Sequence, residues 1–162
     1  MESNRPTNKL ILLQPKKITE LIQNAISPGI NSIVFCTIEG SPIAQANRGG
    51  YKNTKSALIA NIFYEYMDLG TQAFNNNNLE TILLEVDDEM IIAKNIYNHI
   101  LWFTCQDFSK SGGRSSRGLV MNKLDTLGNA LLKLLEPLKE TLYETYKEMV
   151  YIGGDEGEQE DE

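Results

Sequence analysis

Two apolar segments without polar alternation constrain the fold of this chain most strongly. The segment from Ile33 to Ile38 is apolar or small at nearly every position, and residues 99–106 (HILWFTCQ) are similar. A strand with one face in water alternates apolar and polar residues, whereas a strand covered on both faces does not. Both segments are therefore predicted to be central strands of a sheet with helices on each side.

The neighbouring patterns predict further strands and three helices. Apolar residues spaced three or four apart indicate helices at residues 15–26, at residues 55–70, and from Gly118 to an interruption at Pro137. Short turns between successive strands imply antiparallel pairing. The predicted fold class is α/β of the α+β type, a three-layer sandwich around a five-stranded antiparallel sheet.

Composition predicts one folded domain with appendages at both ends. With 162 residues, of which 41% are hydrophobic, the chain is long enough for a single core. We expect a flexible lead at 1–14, a domain at 15–137, a helical extension at 138–152 and a disordered acidic tail at 153–162. Because the tail holds six of the 22 acids, the rest has 16 acids against 15 bases. Such a nearly neutral body gives nucleic-acid binding no basic surface.

The sequence contains no motif typical of a catalytic, cofactor or metal site. Cys36 and Cys105 lie in apolar segments and are expected to be buried thiols, and His99 has no evident acid or nucleophile to serve. A zinc site needs about four ligands, which these residues do not supply. We therefore expect no enzyme activity, no cofactor and no metal. Without an apolar span or a lipidation signal, membrane contact is expected to be only indirect.

The helix predicted at 55–70 is apolar around most of its circumference. Only Asn61, Glu65 and Asp68 share a narrow polar strip, whereas an ordinary surface helix needs an apolar stripe of only about 100°. One interpretation is that this helix buries one side on its own sheet and another on a second protein. The alternative is that it is buried entirely within its own fold.

The segments LIQNAISPGINSIVFCTIEGSPIA and ALIANIFYEYMDLGTQAFNNNNLETILLE resemble the roadblock (dynein light chain) superfamily. Within it, the chain resembles more closely the late endosomal/lysosomal adaptor type of roadblock subunit found in Ragulator complexes, over residues 15–138. The similarity is most specific at Glu39-Gly40-Ser41, Ala60-Asn61-Ile62, Gly70, Gln72-Ala73-Phe74-Asn75 and Asn78-Leu79. The chain departs from the family in the loop at 106–117 and in the extension after 138.

The resemblance implies one helix on one sheet face and two on the other. It also implies pairing with a second roadblock-type subunit, a heterodimer being favoured, through the third strand and second helix. The interface residues predicted on this basis are Ile59, Phe63, Tyr66, Met67, Leu79, Thr81, Leu83 and Glu85. Gly70 is expected to cap the second helix and Phe74 to anchor the next loop in the core. The asparagines that follow would adopt left-handed geometry.

By resemblance, the chain would be a non-catalytic scaffold of a Ragulator-like complex. Such a complex would help hold Rag-type GTPases at the lysosomal, vacuolar or late endosomal membrane, for amino-acid signalling to the TOR kinase. A lipidated anchor subunit would provide the membrane attachment. Two alternatives stay open: a dynein-type light chain that forms a homodimer in a motor complex, and a regulator of a small GTPase that acts by nucleotide exchange.

Overall fold

A computed structural model describes residues 15–50, 54–75, 79–106 and 115–142. The predicted lead, the acidic tail and most of the C-terminal extension lie outside these ranges. In chain order the elements are α1 (Pro15–Ala25), β1 (Ile30–Thr37), β2 (Pro42–Asn47), α2 (Ser56–Phe74), β3 (Thr81–Val86), β4 (Glu89–Ile96), β5 (His99–Gln106) and α3 (Ser115–Leu135), followed by a short 3₁₀ helix (Glu136–Leu138).

The five strands form one antiparallel sheet in the order β2-β1-β5-β4-β3. The two segments without polar alternation, β1 and β5, are neighbours near the middle of the sheet, as predicted. Residues Ile33 and Phe103, for example, are paired across this central ladder. The strands β2 and β3 form the two edges.

Helices cover both faces of the sheet. On one face, α1 and α3 pack their buried residues, such as Ile22 and Leu124, against Phe35 and Phe103. On the other face, α2 packs Phe63 against a cluster that includes Trp102. Successive residues of the central strands thus enter different cores, which explains why their sequences lack polar positions. The predicted three-layer α+β sandwich is confirmed.

The C-terminal end of α3 changes geometry at a proline. The α-helix ends at Leu135, and Pro137 lies in the 3₁₀ helix that follows. Proline has no amide hydrogen to donate and its ring crowds the preceding turn. Residues 139–142 are helical again. The predicted interruption is confirmed.

The helix α2 is longer than predicted. It continues through Gly70 to Phe74, and its C-terminal cap is Asn75, with φ 51° and its amide donating to the Thr71 carbonyl (3.1 Å). The prediction that Gly70 caps the helix was wrong. Glycine inside a helix costs only about 1 kcal/mol, and side-chain hydrogen bonds from Thr71 to the Met67 carbonyl and from Gln72 to Asp68 support the turn that follows. The left-handed asparagine is confirmed at Asn75, while residues 76–78 lie outside the described ranges.

The position of Phe74 also differs from the prediction. We expected this side chain to anchor the loop after α2 in the core, but it is 80% exposed. The extra helical turn after Gly70 carries Phe74 away from the apolar cluster beneath α2. The end of the helix therefore presents an aromatic ring to solvent.

Candidate partner interface

One side of α2 faces the sheet, and a second apolar side is left uncovered. Ile59 and Phe63 are buried in the cluster between α2 and the sheet, and Met67 is also buried. Apolar residues of a different helical side remain accessible: Leu58 is 58% exposed and Tyr66 and Leu69 are each 54% exposed, with Ile62 half-buried between them. Their spacing of three or four residues places them in one stripe along the helix.

Contacts at the start of α2 show which way this stripe points. Lys55 lies seven residues before Ile62 and therefore on the same helical side. Its amine forms an ion pair with Glu89, the residue opposite Val86 at the end of the edge strand β3. On the other flank, Ala57 meets the turn between β1 and β2. The exposed stripe consequently runs along the β3 side of the molecule.

The edge strand β3 continues this apolar surface. Alternate residues of a strand share a face, and Ile82 and Leu84 pack partly against the cluster beneath α2. Val86 has the same parity and is 55% exposed. We call this combined surface the α2–β3 face, consisting of Leu58, Ile62, Tyr66, Leu69, Ile82, Leu84 and Val86. Its outer border is β3, which within the described ranges pairs only with β4.

This architecture is similar to that of several solved structures. MglB of Myxococcus xanthus matches with a TM-score of 0.65 and 16% identity, over 80% of this chain and 96% of that one. The gliding protein MglB of Thermus thermophilus gives 0.63 and 12%, over 78% and 95%. A Roadblock/LC7 domain from Streptomyces avermitilis gives 0.60 and 10%, over 74% and 95%. The chain has the roadblock fold. No protein-family model matches the sequence.

The predicted interface residues of α2 lie in two environments, the buried core and the exposed surface. Ile59, Phe63 and Met67 are buried in the chain's own core, and their contact with a partner stays a prediction. Tyr66 lies on the α2–β3 face. Leu79, just before β3, is half-buried against the cluster beneath α2.

The predicted residues of β3 lie on the opposite face of the strand. Thr81, Leu83 and Glu85 point toward the layer of α1 and α3, where Glu85 forms an ion pair with Arg117. Leu83, 41% exposed, is paired in register with Ile92, a member of that core. A change of one residue in strand parity moves every side chain to the other face. Whether these residues contact a partner stays a prediction.

Sequence reasoning did not single out most of the α2–β3 face. Leu58, Ile62 and Leu69 fall within the broad apolar arc of α2, and the breadth of that arc alone does not separate them from the core-facing side. The separating signal was their spacing, which forms a stripe offset from that of Ile59, Phe63 and Met67. The parity of β3 is harder to read, because apolar and polar residues occur on both of its faces.

Cys36, Cys105 and His99 are the candidate reactive residues of the sequence, and each is packed against other residues of the fold. Cys36 and Cys105 are both buried, as predicted. The ring of His99 stacks on Phe35 at a centroid distance of 5.4 Å, and its Nδ1 lies 3.0 Å from the Tyr97 carbonyl oxygen. Within the described ranges, no three His, Cys, Asp or Glu side chains are grouped to hold a metal ion. No helix in these ranges is long and apolar enough to cross a bilayer.

Proposed function

We propose that this chain is a non-catalytic scaffold subunit that pairs with a second roadblock-type subunit through the α2–β3 face. The observation that carries the proposal is the exposed apolar stripe of α2 beside β3, an edge strand of the sheet formed by the described residues. Large exposed apolar patches mark interaction sites, and an open strand edge invites pairing with another chain. A single partner could cover both the apolar stripe and the strand edge, which would remove the apolar side chains from water and block pairing of β3 with other chains.

The larger assembly is proposed from the sequence resemblance. The residues most specific for Ragulator roadblock subunits, Gln72 to Asn75, form the exposed C-terminal end of α2, next to the proposed interface. We propose that the chain belongs to a Ragulator-like complex that helps recruit Rag-type GTPases to the lysosomal or vacuolar membrane for amino-acid signalling to the TOR kinase. A lipidated anchor subunit would hold the complex there.

The test compares two aromatic residues of α2 that point in different directions. Tyr66 lies on the α2–β3 face, whereas Tyr64, 45% exposed, lies on the flank away from β3. Tyr66→Asp would place an unpaired charge in the interface, which costs several kcal/mol when a partner buries it. Tyr64→Asp is the matched control. Phe63 is unsuitable for this test, because its change to aspartate would disrupt the core.

Affinity purification from cells followed by mass spectrometry is the measurement. The unmodified chain and Tyr64→Asp should recover a second roadblock-type subunit, Rag-type GTPases and a lipidated subunit. Tyr66→Asp should lose all three while keeping the melting temperature of the purified chain. Retention of the partner by Tyr66→Asp would contradict the proposed interface. Recovery of a dynein intermediate chain, or of one GTPase with nucleotide exchange activity, would instead support one of the two alternatives.

A further inference from the structure

Carboxylates border the α2–β3 face on three sides. Glu65 is spaced three residues from Ile62 and four from Leu69, which places it directly beside the stripe. Glu80 precedes β3, and Asp87 lies in the turn that follows it. All three side chains are exposed. The border is therefore acidic along the helix and at both ends of the edge strand.

Among the described residues, the basic groups nearest to this border already have acidic partners. From Ser56 to Phe74, α2 contains no lysine, arginine or histidine, and β3 contains none either. Beside the face, Lys55 is paired with Glu89, and on the opposite side of β3 Arg117 is paired with Glu85. Neither cation neutralises the negative charge of the Glu65, Glu80 or Asp87 carboxylate. The charge along the described border consequently has one sign.

A second copy of the chain is poorly matched to this border. In a two-fold symmetric dimer the same patch lies on both sides of the interface. The apolar residues would meet apolar residues, but the acidic borders would also meet, and like charges across an interface oppose association. A partner with lysines and arginines around its apolar surface would form ion pairs at the same positions.

We infer that the partner of the α2–β3 face is a different chain whose apolar surface is bordered by basic residues. The inference rests on the proposed pairing through this face and adds the charge of the partner. Border charges act mainly on association rate and on the choice between partners, and salt screens them. Discrimination between a second copy and the true partner should therefore be strongest at low ionic strength.

The experiment uses a charge-reversed form of the same chain as the basic partner. Glu65→Lys, Glu80→Lys and Asp87→Lys are combined in one full-length variant. A control variant carries the same change in net charge away from the face, at Glu20, Glu39 and Glu140. The unmodified chain is then studied alone and mixed with each variant by analytical ultracentrifugation, at low and high sodium chloride.

At low salt, the mixed dimer with the border variant should form about tenfold more tightly than the self-dimer of the unmodified chain. High salt should remove most of this difference. The control variant should give no such preference. A self-dimer as tight as the mixed dimer would overturn the inference, as would an equal preference for the control variant. Absence of a mixed dimer at every salt concentration would also overturn it, because basic residues at the border would then give no pairing with this face.

One more variant separates this inference from the proposed function. Adding Leu69→Asp to the border variant should abolish the mixed dimer, because that side chain lies inside the apolar stripe. If the mixed dimer persists with Leu69→Asp, the chains pair elsewhere, and the proposed α2–β3 interface fails together with the inference. If Leu69→Asp abolishes a dimer that shows no charge preference, the interface stands and only the inference fails.

Discussion

At the scale of single residues, Gly40 connects the sheet to the helix that carries the candidate interface. Its φ is +89° and its amide donates to the Thr37 carbonyl at 2.9 Å, which closes the turn between β1 and β2. A Cβ atom at this position would lie 2.5 Å from the Cα atom of Ala57. Glycine is thus required twice, for the left-handed backbone and for the close approach to α2.

We predict that Gly40→Ala destabilises the fold by at least about 2 kcal/mol, since a left-handed alanine alone costs about 1–2 kcal/mol. The clash with the backbone of α2 adds to this cost. Gly49→Ala is the matched control, because φ is also positive there (+47°) but the surrounding space is open. Urea unfolding should show a clearly smaller loss for Gly49→Ala. Equal losses would mean that the contact with Ala57 relaxes without cost.

At the scale of elements, the central strands β1 and β5 place one thiol in each apolar layer. Cys36 lies in the layer beneath α2, and Cys105 in the layer of α1 and α3. Burial raises the pKa of Cys36 from 9.0 to about 11, although the Trp102 side chain partly offsets this increase. Burial likewise raises the pKa of Cys105 to about 12, with Lys123 opposing the change. A buried thiolate is unfavourable in either layer.

These raised pKa values predict a loss of stability at alkaline pH. Above pH 9 the unfolded chain releases both thiol protons while the folded chain still holds them, so unfolding becomes more favourable. The contribution of the thiols is complete below pH 9 and is lost as the pH rises toward 11 and 12. Urea unfolding of the unmodified chain and of a Cys36→Ala, Cys105→Ala variant should converge over this range. A stability difference independent of pH would contradict the prediction.

At the scale of the whole molecule, the net charge is negative and acidic side chains border the exposed apolar surface. The net charge is −7, and the exposed apolar residues of the α2–β3 face lie beside acidic side chains. Anionic lipid attracts polybasic segments by roughly 1 kcal/mol for each nearby Lys or Arg. An acidic chain gains little from such a surface. Its location on a membrane would therefore depend on its partners.

We predict that the purified chain does not sediment with vesicles containing anionic lipid at physiological salt. In cells, it should reach the lysosomal or vacuolar membrane only when the lipidated subunit is present. Vesicle co-sedimentation and fluorescence microscopy after removal of that subunit are the measurements. Vesicle binding by the chain alone, or a membrane location that survives loss of every lipidated partner, would contradict the prediction.

The layers of the fold could be predicted from the amino-acid pattern. Central strands were recognisable in β1 and β5 because burial on both faces removes polar positions, which is a local property of the residues. The break at Pro137 and the buried thiols were equally readable, since each depends on the residue's own chemistry. The excess apolar surface of α2 also showed that this helix has more than one apolar side.

The tertiary structure decided which apolar residues remain exposed. Phe63 and Tyr66 are three residues apart on one helix, yet one is buried by the sheet and the other is in solvent. That outcome depends on the rotation of α2, set by contacts distant in sequence such as Gly40 with Ala57 and Lys55 with Glu89. The faces of β3 were assigned by its pairing with β4 in the same way. Local patterns specify periodicity, whereas the packing of one element against another selects the side that is covered.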